Sequence, residues 1–446
     1  MSFPRYPKYK DSGVEWLGDV PEHWGVRRLR FIAELNPSKS EISQLARETV
    51  VSFLPMESVG DDGTLSLDKE KTIGEVESGY TYFRDGDVTV AKITPCFENS
   101  KGALMCGLAN GIGFGTTELI VVRPRPDELL GSYLHFLFIS TEFRGLGESH
   151  MYGAGGQKRV PDAFVRNFAT AFPPVTEQTA IAAFLDRETG KIDELVAEQR
   201  RLIELLKEKR QAVISHAVTK GRNPHAPTKP SGIQWLGDVP EHWDTRRFQR
   251  CVYVAEGQVD PEDPQYSSMN LIAPNHIESG TGQLLSLVTA ADQGAESGKY
   301  YCEAGDVVYS KIRPALKKVC IAPAACLCSA HMYPLRPHSG LTNEFLFWLI
   351  LTEHFSAFAV LESERVAMPK INRESLKEVS FALPPIDDQG TICRHIHDHV
   401  REFDTLTTEA QRGIELLQER RTALISAAVT GKIDVRNLLS SEVGRT

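Results

Sequence analysis

The 446 residues, 41% hydrophobic and 24% charged, suffice for two or three domains with real cores. No apolar run approaches the roughly 20 residues a bilayer span needs, and "MSFPRYPKYKDSG" lacks the apolar stretch of a secretory signal, so the cytoplasm is the expected location. A net charge of −9 excludes a surface coated in basic residues but leaves room for a local nucleic-acid footprint.

In chain order, the first distinctive segment is "WLGDVPEHW", Trp16–Trp24. It returns as Trp235–Trp243, and over the 13 residues Trp16–Arg28 and Trp235–Arg247 only Gly25/Asp244 and Val26/Thr245 differ. "DGDVTVAKITP" (85–95) then aligns with "AGDVVYSKIRP" (304–314), "FPPVTEQTAI" (172–181) with "LPPIDDQGTI" (383–392), and "ELLKEKRQAVISHAVT" (204–219) with "ELLQERRTALISAAVT" (415–430). The chain is therefore a tandem duplication whose frame is kept and whose contents between the anchors diverge.

Each variable segment mixes strand-like and helix-like runs. "GDVTVAKI", "GDVVYSKI" and "ELIVVRP" alternate like strands, while "GSYLHFLFISTEFRGLG" and "NEFLFWLILTEHFSAF" read as helices. The two variable domains are accordingly expected to be α/β or α+β. Pro173-Pro174 and Pro384-Pro385 punctuate, since proline cannot sit inside a helix, and a long helix is expected after each. Ile192, Leu195, Leu202 and Leu206 in the first helix and Phe403, Leu406, Ile414 and Leu417 in the second fall near heptad spacing. Antiparallel pairing of the two helices is the expectation, giving a coiled-coil-like rod with a pseudo-two-fold axis. At about 1.5 Å per residue, some 30 paired residues separate the variable domains by roughly 45 Å.

The resulting division is a first variable domain over 1–174, a helix over 175–219, a Pro-rich, extended and solvated linker over 220–234, a second variable domain over 235–385, a helix over 386–432 and a tail over 433–446.

Catalytic signatures are absent from the sequence. There is no phosphate-binding GxxxxGK[ST] loop, no Asn- or Asp-Pro-Pro-aromatic motif of the amino-methyltransferases, and no Ser/His/Asp constellation that can be assigned. The glycine string at Gly153–Gln157 does not lead from a clear strand into a helix, and reads as a flexible or DNA-proximal loop rather than a cofactor loop. His395 and His399, four apart in "HIHDH", have no histidine counterpart in the first copy and read as a solvated helix face. Eight cysteines lack paired spacing, so reduced buried thiols are expected and no metal site.

Polar residues with a recognition chemistry cluster instead around each Lys-Ile-x-Pro segment and near the end of each variable domain. They are Lys92, Thr94, Gln157, Lys158 and Arg159 in the first copy, and Lys311, Arg313, Lys317, Lys318, Arg365, Lys370, Asn372 and Arg373 in the second. Lys and Arg hold phosphates, and Arg, Gln and Asn read base edges.

The order "WLGDVPEHW", variable domain, "PPVTEQTAI", helix, "AVTKG", repeated with "PPIDDQGTI" and "AVTGK", resembles the specificity subunits of type I restriction-modification enzymes across nearly the whole chain. One departure is Asp388 where the first copy has Glu177. The resemblance implies a non-catalytic protein whose variable domains are target recognition domains, each reading one half of a split, asymmetric double-stranded DNA site. It implies helices that set the spacer and dock two modification subunits, with restriction subunits joining the assembly. No cofactor is expected on this chain; S-adenosylmethionine, ATP and Mg belong to the partner subunits. The rod length fits half-sites with centres about 10–13 base pairs apart. A stand-alone DNA-binding regulator or scaffold of the same architecture is the alternative, and an enzyme such as a fused methyltransferase or nuclease is a more distant one.

Overall fold

A computed structural model describes residues 3–154, 156–363, 369–436 and 438. The chain forms two compact units: one of two separate stretches, Met1–Gln199 with Arg412–Thr446, and one of the single stretch between them, Arg200–Gln411. Each unit holds one variable domain, the start of one long helix and the end of the other.

The long helices run Val175–Lys220 and Ile386–Val429, each beginning directly after its Pro-Pro pair. The glutamine of the turn explains its repetition. Gln178 is fully buried, receives the Leu130 N–H and donates to the Glu128 and Pro173 carbonyls. Gln389 repeats this with the Thr342 N–H and the Gly340 and Pro384 carbonyls. One side chain in each copy thus satisfies backbone groups that the turn would otherwise bury unpaired.

"WLGDVPEHW" is the clamp on the helix start. Trp24 is buried and its indole N–H donates to Glu177 Oε1 at 3.0 Å, while His23 Nε2 lies 2.7 Å from Glu177 Oε2. In the second unit Trp243 and His242 make the corresponding contacts to Asp388 Oδ2, at 3.3 and 2.7 Å. The same tryptophans receive the end of the other long helix. Gly431 closes against Pro21 and Trp24, and Gly221 against Trp243 and Pro240; both glycines have positive φ, +74° in each case. Each unit therefore brings a helix end to a helix start, and an ion pair one length further along makes the two segments antiparallel. Asp193–Arg421 does this in the first unit (3.0 Å) and Arg210–Asp404 in the second (3.2 Å), and the repeat maps one pair onto the other. Ser426 Oγ accepts from the Thr141 N–H, and Ser215 Oγ from the Glu353 N–H, again at equivalent places.

The predicted pairing stripe needs correction. Ile192, Leu206 and Ile414 are buried and Phe403 and Leu417 half-buried, but Leu195, Leu202 and Leu406 are 46, 43 and 41% exposed. The inward positions are Ile192, Val196, Ile203, Leu206 and Arg210 in one helix and Val400, Phe403, Ala410, Ile414, Leu417 and Arg421 in the other. Adjacent pairs such as Leu195-Val196 and Leu202-Ile203 make the register ambiguous, and the true stripe passes through arginines whose stems pack while their heads reach an aspartate.

In the first unit a three-stranded antiparallel sheet runs Ala33–Leu35, Leu119–Pro124, Val88–Ala91, and a four-stranded mixed sheet runs Glu70–Thr72, Val50–Leu54, Ile112–Gly115, Thr81–Arg84. The second unit has sheets ordered Val252–Val254, Met332–Pro337, Val307–Ser310, Val319–Ile321 and Gln258–Val259, Lys299–Cys302, Cys326–Cys328, Asn270–Ile272, Val288–Thr289. Both variable domains are thus mixed α/β. The Gly-Asp-Val motif at the head of the Lys-Ile-x-Pro strand has a structural role. Asp87 is buried against Arg123 (2.7 Å) and Asp306 against Arg336 (3.0 Å), fastening that strand to its neighbour.

Three expectations are refined. The helical runs at 131–147 and 343–358 are each two helices, broken at Ser140 and Thr352, whose extended backbone caps the second helix. The second pair bends by 66° and packs into the core of its unit; no single helix among the described residues is long and apolar enough to cross a membrane. The linker at 220–234 is not wholly extended and solvated: Thr228–Pro230 pairs antiparallel with Asp238–Pro240, as Tyr9–Asp11 does with Asp19–Pro21. Seven of the eight cysteines are buried or half-buried and all are free thiols; Cys106 is exposed.

His135, on the helix Gly131–Ile139, stays neutral, because burial and the nearby Arg144 and Arg421 push its pKa down to about 4. A base whose folded-state pKa lies below its unfolded value contributes stability that is present above about pH 6.5 and lost as the pH falls toward 4. Urea midpoints should therefore fall across this window by an amount equivalent to about 2–3 kcal/mol, and His135→Gln should flatten that fall. Identical slopes in the two proteins would remove His135 as the cause.

Candidate nucleic-acid interface

The structure brings the two separate basic segments of each variable domain together. In the first unit the Val88–Ala91 strand runs into Lys92–Thr94, which lies against Gln157–Val160. Val160 N–H donates to the Lys92 carbonyl (2.8 Å), Thr94 N–H and Oγ1 to the Lys158 carbonyl (3.0 and 2.9 Å), and Lys158 N–H to Thr94 Oγ1 (2.8 Å). In the second unit Ile371 N–H donates to the Lys311 carbonyl (2.9 Å) and Arg313 N–H to the Pro369 carbonyl (3.0 Å). Lys92 and Lys311, more than 50 residues from their partners in each copy, thus occupy the same position in the same two-segment edge.

The candidate side chains then divide by what already engages them. Arg159 forks onto Glu118 (Nε and Nη2 at 2.9 and 2.8 Å), and Arg373 donates to the Val254 and Ala255 carbonyls and to Glu256. Lys317 is held by Gln211 (3.1 Å) and Glu353 (2.8 Å), Lys318 by the Pro274 carbonyl (2.7 Å), and Asn372 caps the helix Arg373–Glu378 through the Ser375 N–H. Lys311 lies over the Tyr333 ring at 5.0 Å, a ring shared with Arg373 at 5.2 Å. Among the described residues, no hydrogen bond or ion pair engages the side chains of Lys92, Gln157, Lys158, Arg313 or Lys370. Arg365 lies outside the described residues, as does Gly155 of the glycine string.

Residues missed in the sequence build this edge. Glu118 orients Arg159, which raises the arginine's pKa and lowers the carboxylate's. Tyr333 and Tyr300 form the aromatic floor under Arg373. Arg144, buried, donates to the Phe97 carbonyl (2.8 Å) and lies over the Phe97 ring at 4.6 Å, bracing the loop that follows Thr94. Arg313 and Lys317 have φ of +47° and +46°, a left-handed conformation that disfavours side chains by about 1–2 kcal/mol each and brackets the short turn Pro314–Leu316. Spacing alone carried no signal for any of these.

The five unengaged residues are long, flexible donors, four of them cationic, on paired edges at the ends of strands. That chemistry suits phosphate and base-edge contact. The His395 and His399 rings lie 4.3 Å apart with their planes tilted by 54°, His399 Nδ1 is 3.0 Å from the His395 carbonyl, and among the described residues no group of three or more metal-ligating side chains gathers.

Fold and candidate site together define a protein of two variable α/β domains, each with a paired basic edge and each framed by segments of two repeated long helices. Residues 267–416 match the family model of the type I restriction modification DNA specificity domain. The specificity subunits of type I restriction enzymes EcoEI and EcoAI of Escherichia coli are each 43% identical to the chain, over 200 and 189 residues. Those matches cover 45 and 42% of this chain and 33 and 31% of those proteins, so the chain matches about a third of the length of each. A chain from a solved structure of the type I R-M system shares the fold, with a TM-score of 0.74 at 18% identity over 92% of this chain and 98% of that one. The resemblance read from the repeated motifs is met by these relatives.

Proposed function

We propose that this chain is the DNA-specificity subunit of a type I restriction-modification complex, without catalytic activity of its own. The observation that carries the reading is the doubled edge: each unit presents a Lys-Ile-x-Pro segment hydrogen-bonded to a second basic segment, with different side chains in the two copies. Two different readers in one chain imply an asymmetric, bipartite double-stranded DNA target. The long helices set the spacer and dock two modification subunits, and restriction subunits join that assembly in the cytoplasm. S-adenosylmethionine, ATP and Mg act on those partners. A net charge of −9 accords with partners that share the phosphate contacts.

The test is a methylation map. The chain is co-expressed with its neighbouring modification subunit in a methylation-free host, and modified adenine is located by sequencing. A split motif of two unlike halves with a fixed spacer is the expected result. A stable complex that leaves the DNA unmodified, together with tight DNA binding by the chain alone, would favour a stand-alone regulator instead.

A further inference from the structure

The two clamps on the helix starts are built alike but closed differently. In the first unit two chain segments cover Glu177 and Trp24. From one, Tyr6 is buried to 4% exposure, its hydroxyl donates to Glu177 Oε1 at 2.6 Å, Tyr9 donates to the Gly431 carbonyl, and the Phe3 ring packs edge-on against Phe184 at 5.5 Å. From the other, Asp434 N–H donates to the Pro4 carbonyl, Val435 is buried, and the Arg436 guanidinium lies over the Tyr6 ring at 5.0 Å.

In the second unit the chain passes directly from the first long helix into the second copy, so one segment, 221–230, stands where the first unit has two. The register is common to both copies up to this point, since Glu22 N–H donates to the Lys8 carbonyl and Glu241 N–H to the Pro227 carbonyl. Continuing that register, Phe3, Tyr6 and Tyr9 are replaced by Arg222, His225 and Thr228, and on the helix Phe184 is replaced by His395. His225 is exposed, and the segment turns back on itself at Asn223–Ala226. A cavity of about 530 Å³ remains, lined by Arg222, Asn223, Ala226, Trp243, Asp388 and Thr391 among others. Asp388 is 40% exposed where Glu177 is 6%. Both of its donors, His242 and Trp243, use Oδ2, and among the described residues Oδ1 receives none.

We propose that this cavity is a docking site for a tyrosine-bearing peptide segment of a partner protein. The first unit displays the occupant that fits this geometry: an extended, proline-containing segment that lays a phenol ring against the tryptophan and donates its hydroxyl to the carboxylate. The shorter aspartate and the smaller cover residues leave the space and the acceptor for the same group arriving from another chain. None of the candidate DNA-contacting residues lines the cavity, so the site is separate from recognition.

The probe is a synthetic peptide of the sequence of residues 3–10, FPRYPKYK, titrated into the full-length chain by calorimetry. Saturable binding with one site per chain is expected. It should weaken at least tenfold with Ala226→Tyr and with Thr391→Phe, each of which fills the cavity from a different wall, and several-fold when the peptide's first tyrosine is replaced by phenylalanine. Melting curves of both variants establish that they fold. Absence of saturable binding, or binding that neither folded variant weakens, as displacement of the chain's own residues 3–9 in the first unit would give, overturns the proposal.

Discussion

Glu177→Leu is expected to destabilise the first unit by about 3–5 kcal/mol, and Asp388→Leu to destabilise the second by about 1 kcal/mol. Glu177 is buried and accepts from Tyr6, Trp24 and His23. Its removal leaves a buried phenol and a buried indole N–H without acceptors, and each orphan costs the desolvation of a polar group, about 1–3 kcal/mol. Burial and, after it, the Glu177 carboxylate also push the Tyr6 phenol above its usual range, so the proton stays on the donor throughout the physiological window. Asp388 is partly solvated, and water replaces it for His242 at little cost. The two units need not unfold together, so the measurement is a thermal scan with a probe in each. A lower first transition with an unmoved second one is the expected pattern for Glu177→Leu. Equal losses from the two substitutions would mean that burial does not set the strength of these clamps.

Alanine at Gln157 and Lys158 should weaken recognition of one half-site only, and alanine at Lys311 and Arg313 should weaken the other, each by about 10²–10⁴-fold in the assembled complex. The expectation rests on the proposed function and on the placement of these residues on two separate edges. Arg159, part of the same sequence cluster, is a poor first choice, because it braces Glu118 and its loss disturbs the edge itself. Base-edge and phosphate contacts separate by their salt dependence. Loss of a phosphate contact lowers the slope of log affinity against log salt by about one per lysine and leaves sequence preference intact, whereas loss of a base contact relaxes preference at one position. The readout is the methylation motif and binding to duplexes mutated in either half. Equal loss at both halves would contradict the assignment of one reader to each unit.

The sequence by itself determined the duplication, the placement of two long helices after Pro-Pro turns, the strands that lead into Lys92 and Lys311, and the family resemblance. These are local or repeated signals. Proline stops a helix wherever it stands, alternation marks a strand within eight residues, and a repeated nine-residue string needs no partner to be read. Only the tertiary structure decided the rest. It chose Val196 and Ile203 over Leu195 and Leu202 as the buried stripe, because adjacent apolar residues offer two registers and packing selects one. It assigned Lys317, Lys318, Asn372 and Arg373 to internal contacts, because a lysine that meets a glutamate 36 residues away looks in sequence like one that meets solvent. It built each unit from the beginning of one helix and the end of the other, an outcome of long-range pairing. And it turned the exchange of Glu177 for Asp388, conservative on paper, into a closed clamp and an open one, because a single methylene and the rings of Phe3, Tyr6 and Tyr9 decide whether a carboxylate is buried or left facing a cavity.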